Sequence, residues 1–192
     1  MAKAKGPVYV VAFRRRREKA TNYAKRLALV KSEMPRMVVR SSNKQVLVQF
    51  VAFEPAGDKV LASVASEKLK KFKWAPRRNL PTAYLAGYYA GLLGKKAGVK
   101  EFVLDIGLVS SVVGGLPFAA QMGAVDAGLA SPHGEGIVDA ERMKGAHIEA
   151  FAKSLPDAEY RKKFSSYIKE GFDPKEFTKL FEKAREAIKK EV

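Results

Sequence analysis

Four consecutive arginines, Arg14 to Arg17, are the side chains best suited to a defined chemistry in this chain of 192 residues. Arginine presents a planar fork of donors that matches phosphate oxygens, and each neutralised phosphate releases condensed counterions. Residues 1–40 hold twelve lysines and arginines against two glutamates, a local net charge of +10. Such crowding repels itself unless a polyanion neutralises it. The cluster therefore predicts a phosphate-rich partner, and the alternative interpretation is a solvated basic tail.

Aromatic residues accompany the basic ones. Phe13 and Tyr23 flank the arginines, while Phe72 and Trp74 lie between lysines and the Arg77-Arg78 pair. Aromatic rings stack on unpaired bases while cations hold phosphates, a combination typical of proteins that bind structured or single-stranded RNA. Signatures of DNA binding, such as finger cysteines or a helix-turn-helix spacing, do not occur. RNA is therefore the predicted polyanion.

Patterns for catalysis or metal binding are scarce. The chain has no cysteine, which excludes disulfides, thiolate zinc sites and cysteine nucleophiles. His133 and His147 lack zinc-ligand spacing, and the phosphate-loop and dinucleotide fingerprints are incomplete. Asp105 lies within an apolar run, and acidic residues occur near the next helix. We expect no enzyme, no cofactor and no metal site, with a metal-dependent RNA-processing enzyme that uses Asp105 as the alternative.

The elements that must position these residues begin with a helix predicted within residues 14–33, with Thr21 or Asn22 as its cap and Pro35 beyond its end. Alternating apolar residues then predict three strands, at 36–41, 44–53 and 59–65. Their short polar links predict an antiparallel meander. The first link places Ser42, Asn43 and Lys44 at a hairpin tip that is able to reach phosphates or ribose hydroxyls.

A helix predicted over 81–98 and an apolar strand within 101–109 follow the meander. Ala83, Gly87 and Gly91 give that helix a face without bulk, which favours close packing, most often on a sheet. A strand, helix and strand in this order indicate a right-handed crossover and a parallel pair. The predicted fold class is α/β: a mixed sheet, an antiparallel meander plus a parallel strand added by a helical crossover, packed by helices, with a basic N-terminal arm and a C-terminal helical extension.

We predict three parts: a basic arm and helix at 1–34, an α/β core domain at 35–152 and a separate helical unit at 153–192. Further helices are expected over 117–129, from near Asp139, and after Asp173-Pro174. The uncharged stretch 106–125 is interrupted by polar residues and a Gly-Gly-Leu-Pro turn, so no membrane span is expected. No signal-peptide pattern precedes Arg14, and we expect a cytoplasmic protein.

Several separated segments in a fixed order resemble the archaeal and eukaryotic form of the large-subunit ribosomal protein L-eighteen family. They are Arg14 to Leu27, Pro35 to Asn43, Val103 to Leu108 and Phe118 to Leu129, followed by Pro132-His133. The resemblance extends from about residue 7 to residue 152. It implies a structural protein of the cytoplasmic large subunit that binds 5S ribosomal RNA and anchors it to the large ribosomal RNA in the central protuberance.

The resemblance also implies contacts with a second 5S-binding ribosomal protein and with neighbouring large-subunit proteins, and no small-molecule substrate. In that family the basic arm and the adjacent side of the sheet face the RNA. It assigns RNA contact to Arg14, Arg15, Arg16, Arg17, Lys19, Thr21, Tyr23, Lys25, Arg26, Arg40, Ser42, Asn43 and Lys44. Charge alone adds Arg77 and Arg78 to this set.

Overall fold

The computed structural model describes residues 6–192 and contains one four-stranded mixed sheet. Strands β1 (Arg36–Ser41), β2 (Val46–Ala52) and β3 (Lys59–Ala65) form an antiparallel meander, and β4 (Val103–Asp105) pairs in parallel with β1. The order across the sheet is β3-β2-β1-β4. The predicted fold class is therefore confirmed.

The fourth strand is shorter than the predicted 101–109. Only three residues pair with β1, and Glu101 forms an isolated bridge with Ala130. After Asp105 the chain turns, because Gly107 adopts a positive φ of 66° and its amide donates to the Asp105 carboxylate at 2.8 Å. The apolar run identified a strand, but this local turn ends it early.

The two faces of the sheet differ in chemistry. Met37, Val39, Val48 and Phe50 are buried on the face that packs against helix α3 (Leu80–Lys96). Side chains of strands alternate between faces, so Arg36, Val38, Arg40, Gln49 and Val51 lie on the opposite face. That second face carries polar groups and is only partly covered.

Helix α3 begins at the cap Asn79, whose side chain accepts from the Thr82 amide at 3.0 Å. Thr82, in the first turn of the helix, accepts from the buried Trp74 indole N–H at 3.0 Å. Residues 81–91 of the helix are all buried because other elements cover it on several sides. Within residues 6–192, no helix is both long enough and apolar enough to cross a membrane.

The small-residue face of α3 allows close packing, as predicted, but on a helix and not on a sheet. It faces α4 (Leu116–Asp126), where a Cβ at Gly87 would overlap the Ala120 backbone and a Cβ at Gly91 would lie 2.8 Å from Ala127. Gly123 of α4 is similarly close to the Tyr84 backbone. The glycines of both helices therefore set the short distance between them.

The C-terminal third is helical, and its bounds are α5 (Ala140–Lys144), α6 (Ala146–Ser154), α7 (Asp157–Lys163), α8 (Ser165–Lys169), a 3₁₀ turn (Pro174–Glu176) and α9 (Phe177–Glu191). Asp139 caps α5 and Asp173 caps the 3₁₀ turn. The apolar stripe of α9 packs on the Trp74 ring, with the centroids of Phe177 and Phe181 5.1 and 6.1 Å away. The C-terminal helices therefore share one hydrophobic core with the α/β part, and the three-part division stays a prediction.

Candidate nucleic-acid interface

The arginine cluster forms a single helical turn, α1 (Arg14–Arg17), on the surface of the molecule. Consecutive helical residues point about 100° apart, so the four guanidinium groups surround the turn instead of sharing one face. All four arginines are exposed, and among the described residues their one ion pair joins Arg14 to Glu18 at 3.7 Å. The cluster is therefore available to an anion from several directions.

The single helix predicted within residues 14–33 is two helices in the structure. Lys19 adopts a left-handed φ of 52°, and the Ala20 amide donates back to the Arg15 carbonyl at 2.9 Å, which closes α1 as a Schellman motif. The second helix, α2 (Tyr23–Val30), starts at Asn22, whose side chain accepts from the Lys25 amide. Of the two predicted caps, Asn22 is therefore the one used.

The hydroxyl of Thr21 has a different role, since it accepts from Arg15 Nε at 2.8 Å and holds α1 close to the start of α2. The rings of Phe13 and Tyr23 meet across the same junction, with centroids 6.4 Å apart and planes inclined by 52°. Phe13 is 78% exposed and Tyr23 is 38% exposed. Both rings therefore keep free surface on which a base can stack.

The arm, residues 6–34, contacts the open face of the sheet through a network of ion pairs in which arginines and aspartates alternate. Asp58 Oδ2 accepts from Arg26 of α2 at 2.9 Å and from Arg36 of β1 at 2.6 Å. Arg36 also donates to Asp105 Oδ2 at 3.1 Å, and Arg40 donates to Asp105 Oδ1 at 2.9 Å. The parallel register places Asp105 beside Val38, which lies between Arg36 and Arg40 on β1. Two carboxylates therefore hold three guanidinium groups in one connected network.

A groove of about 780 Å³ lies between α2, the open face of the sheet and the segment after β4. Its rim carries Arg15, Thr21, Lys25 and Arg26, and its floor includes Val38, Gln49, Val51 and Val60. Cationic side chains above an apolar and amide floor suit a phosphate chain with its bases turned inward. Four of the nine predicted contact residues of the arm line this groove, together with Arg40. Arg14, Arg16, Arg17, Lys19 and Tyr23 lie outside it.

The hairpin tip at Ser42, Asn43 and Lys44 is exposed between β1 and β2. The Ser42 amide donates to the Gln45 carbonyl at 2.9 Å, and the Ser42 hydroxyl accepts from the Gln45 amide at 3.2 Å. The tip is thus a closed turn, and Lys44 makes no ion pair within residues 6–192.

The second predicted basic segment has a different environment from the arm. Arg77 donates to Glu170 at 2.8 Å and lies 5.1 Å from the centre of the Tyr167 ring, so its guanidinium group connects the segment before α3 to α8. Arg78 is exposed. Phe72 and Trp74, interpreted above as stacking groups, are 7% and 2% exposed. That interpretation is wrong, because both rings lie in the core and Trp74 packs against Phe177.

Asp105, the carboxylate considered for catalysis, is a structural residue. Its side chain is 9% exposed, and both oxygens accept hydrogen bonds from Arg36, Arg40 and the Gly107 amide. Over residues 6–192, no three histidine, aspartate or glutamate side chains form a group that could hold a metal ion. Arg36 and Asp58, which hold the arm on the sheet, were not among the predicted residues, since no local signal in the sequence reveals which strands pair or in what register.

Comparison with known proteins extends over nearly the whole chain. The family model described as ribosomal large subunit proteins 60S L5 and 50S L18 matches residues 8–102. The large ribosomal subunit protein uL18 of Korarchaeum cryptofilum is 46% identical over 183 residues, which are 94% of each chain. Proteins of the same name from Natronomonas pharaonis and Methanothermobacter thermautotrophicus are 44% and 42% identical over 98% of this chain and 100% of theirs. The chain belongs to the uL18 family.

Members of the uL18 family are structural proteins of the large ribosomal subunit and are not enzymes. Membership confirms the predicted family and the absence of catalytic activity, and implies association with ribosomal RNA and other ribosomal proteins. The alternative of an RNA-processing enzyme is therefore set aside, in agreement with the fully bonded state of Asp105.

Proposed function

We propose that this uL18-family protein binds 5S ribosomal RNA and anchors it to the large ribosomal RNA in the central protuberance of the large subunit. The observation that carries the proposal is the exposed arginine turn α1, placed at the mouth of a cationic groove. The family membership and the order of the segments that resemble the family support the same RNA partner. A second 5S-binding protein and neighbouring large-subunit proteins complete the proposed surroundings.

The proposed contacts divide into two kinds. Basic side chains without an ion pair in the described part of the chain are suited to hold phosphates, namely Arg15, Arg16, Arg17, Lys19, Lys25, Lys44 and Arg78. Phe13 and Tyr23 are suited to stack on bases, and Ser42 and Asn43 to contact ribose hydroxyls. Phosphate contacts fix position, while contacts to bases and ribose supply the preference for one RNA.

Arg26, Arg40 and Arg77 already donate to carboxylates of the protein. In our proposal they shape the surface, and their remaining donors contact bases and ribose of the RNA instead of phosphates. Asp157 to Lys190 add a mixed-charge helical surface, which we propose faces neighbouring components of the subunit.

A filter-binding measurement tests the RNA partner. We expect the full-length protein to bind 5S ribosomal RNA more tightly than an unrelated structured RNA of equal length at physiological salt. Equal affinity for the two RNAs would refute the proposal, because non-specific phosphate binding does not depend on the identity of the RNA.

A fourfold Arg→Ala variant at positions 14–17 tests the phosphate contacts. The slope of the logarithm of affinity against the logarithm of salt concentration should become less steep by about 2 to 3, because the phosphate contacts of Arg15, Arg16 and Arg17 contribute about 0.7 to 0.9 each. Arg14, which is paired with Glu18, adds less. The matched control replaces four exposed lysines of the C-terminal helices by Ala: Lys162, Lys183, Lys189 and Lys190. It removes the same charge far along the chain, so its slope should stay close to that of the unaltered protein. An equal change in both variants would show that total charge, and not the turn α1, sets the slope.

A further inference from the structure

Helix α2 lies over the open face of the sheet, with the groove between them, and none of its own residues is buried. Apolar packing therefore contributes little to its orientation, although the arginine turn precedes it and the groove lies beside it. In the described part of the chain, one ion pair joins residues 6–34 to the rest of the protein, between Arg26 and Asp58. The orientation of the arm depends on this contact more than on any other polar one.

Asp58 itself is firmly held. It follows Gly57 in the turn between β2 and β3, and the same Oδ2 that meets Arg26 accepts from Arg36 at 2.6 Å. The Arg36 side chain is 5% exposed and is fixed on its other side by Asp105. Asp58 thus connects a surface helix to a buried arginine of the sheet that is held by two carboxylates.

An acidic side chain is an unexpected component of a surface that attracts phosphates, since its charge repels them. Asp58 lines the groove together with Arg15, Lys25 and Arg26. We propose that Asp58 is a positioning residue for RNA binding: it fixes α2, and with it the arginine turn, on the sheet before the RNA arrives. Arg26 is the arm's half of this connection. The inference rests on the proposed function, since it concerns the same RNA surface.

The direction of the change in RNA affinity distinguishes a positioning role of Asp58 from a purely electrostatic one. Asp58→Asn removes a negative charge, so an electrostatic role alone predicts tighter RNA binding. A positioning role predicts the opposite: the affinity for 5S ribosomal RNA should fall about fivefold. This factor corresponds to the upper range of the free energy that a partly exposed ion pair contributes. The salt slope should not change, because Asp58 contacts no phosphate.

Glu54→Gln is the matched control. Glu54 lies four residues before Asp58 at the same turn, and its side chain is 52% exposed. Its one ion pair within residues 6–192, with Lys59, is long at 3.9 Å. The two variants change the net charge equally, but only Asp58→Asn disconnects α2. Glu54→Gln should bind 5S ribosomal RNA as tightly as the unaltered protein or slightly more tightly. If Asp58→Asn binds as tightly as Glu54→Gln, the proposal is overturned.

Arg26→Gln removes the other partner of the Arg26–Asp58 ion pair and leaves the Asp58–Arg36 pair intact. This variant therefore remains informative if Asp58→Asn folds poorly. Positioning predicts a loss of about fivefold with an unchanged salt slope, and no further loss when the two substitutions are combined. A slope reduced by about 0.7 to 0.9 would identify Arg26 as a phosphate contact and overturn its role in positioning.

A measurement without RNA separates this inference from the proposed function. Hydrogen exchange of the amides of α2 should be faster in Asp58→Asn than in Glu54→Gln by about fivefold. Equal exchange in the two variants would refute the connection, whatever RNA the protein binds. If the unaltered protein shows no preference for 5S ribosomal RNA, the proposed function fails, while the exchange result still decides whether Asp58 holds the arm.

Discussion

Replacing Asp105 by Asn should destabilise the protein strongly, although the two side chains have nearly the same shape. Asn retains one carbonyl oxygen, which can still accept from Arg40 and from the Gly107 amide at 2.9 and 2.8 Å. Its NH₂ group then faces Arg36 Nη1, so a donor replaces the acceptor that lay 3.1 Å away. Arg36 keeps its charge and remains 5% exposed.

The size of the loss follows from the environment of each partner. A hydrogen bond to a charged group contributes about 1.5 to 3 kcal/mol, and breaking a buried ion pair costs about 3 to 5 kcal/mol. Asp58 still compensates part of the Arg36 charge, so the cost of breaking the buried pair lies at the lower end of its range. Arg40 is half exposed, and its pair with Asp105 adds less than about 1 kcal/mol. We expect the free energy of unfolding to fall by about 3 kcal/mol.

Urea denaturation followed by circular dichroism measures this change. For a denaturant dependence of about 2 to 3 kcal/mol per molar urea, the midpoint should fall by about 1 M without a change in slope. The control is Asp139→Asn, which removes the same charge from an exposed helix cap where Asn serves as well as Asp. Equal midpoints for the two variants would show that the buried network does not stabilise the fold as argued.

Two further changes test the packing of the helices. Gly87→Ala places a methyl group against the backbone of α4, and after the gain in helix propensity we expect a net loss of about 2 kcal/mol in urea denaturation. Gly134→Ala has room for the added carbon and should be neutral, so similar losses would contradict the close-packing argument. Glu149 of α6 accepts from the Thr178 amide of α9 at 3.0 Å, and hydrogen bonds from Lys153 and Thr178 lower the pKa of its carboxyl to about 2. Because the folded pKa lies below the unfolded one, its contribution is complete above about pH 4.5 and is lost as the pH falls towards 2. Glu149→Gln should therefore lower the free energy of unfolding by about 2 kcal/mol at pH 7 and by much less near pH 2.5. If urea denaturation gives the same difference between variant and unaltered protein at both pH values, this account is refuted.

The sequence predicted the features that depend on neighbouring residues. Alternation located β1, β2 and β3 to within a few residues, and the order of strand, helix and strand gave the parallel pair with β4. Asn22 was one of two predicted caps and is the one used. The charge of the arm was also evident, since it follows from composition alone.

Features that depend on distant residues could not be predicted in the same way. Trp74 between lysines has the pattern of an exposed stacking group, but α9, a hundred residues later, covers it. The face of α3 that carries only glycine and alanine predicted close packing, but it did not specify that α4 is the partner. The periodicity of a helix or strand is encoded in its own short segment. The element that packs on each face depends on how the whole chain buries its apolar surface.

The attraction of residues 14–17 for anions was determined by the sequence, because four adjacent guanidinium groups attract anions in any fold. The tertiary structure decided what holds the arginine turn in place. The register of β4 against β1 brings Asp105 between Arg36 and Arg40, and the turn before β3 brings Asp58 to Arg26. Strand register is a long-range property, and a shift by one residue would move each of these side chains to the other face of the sheet.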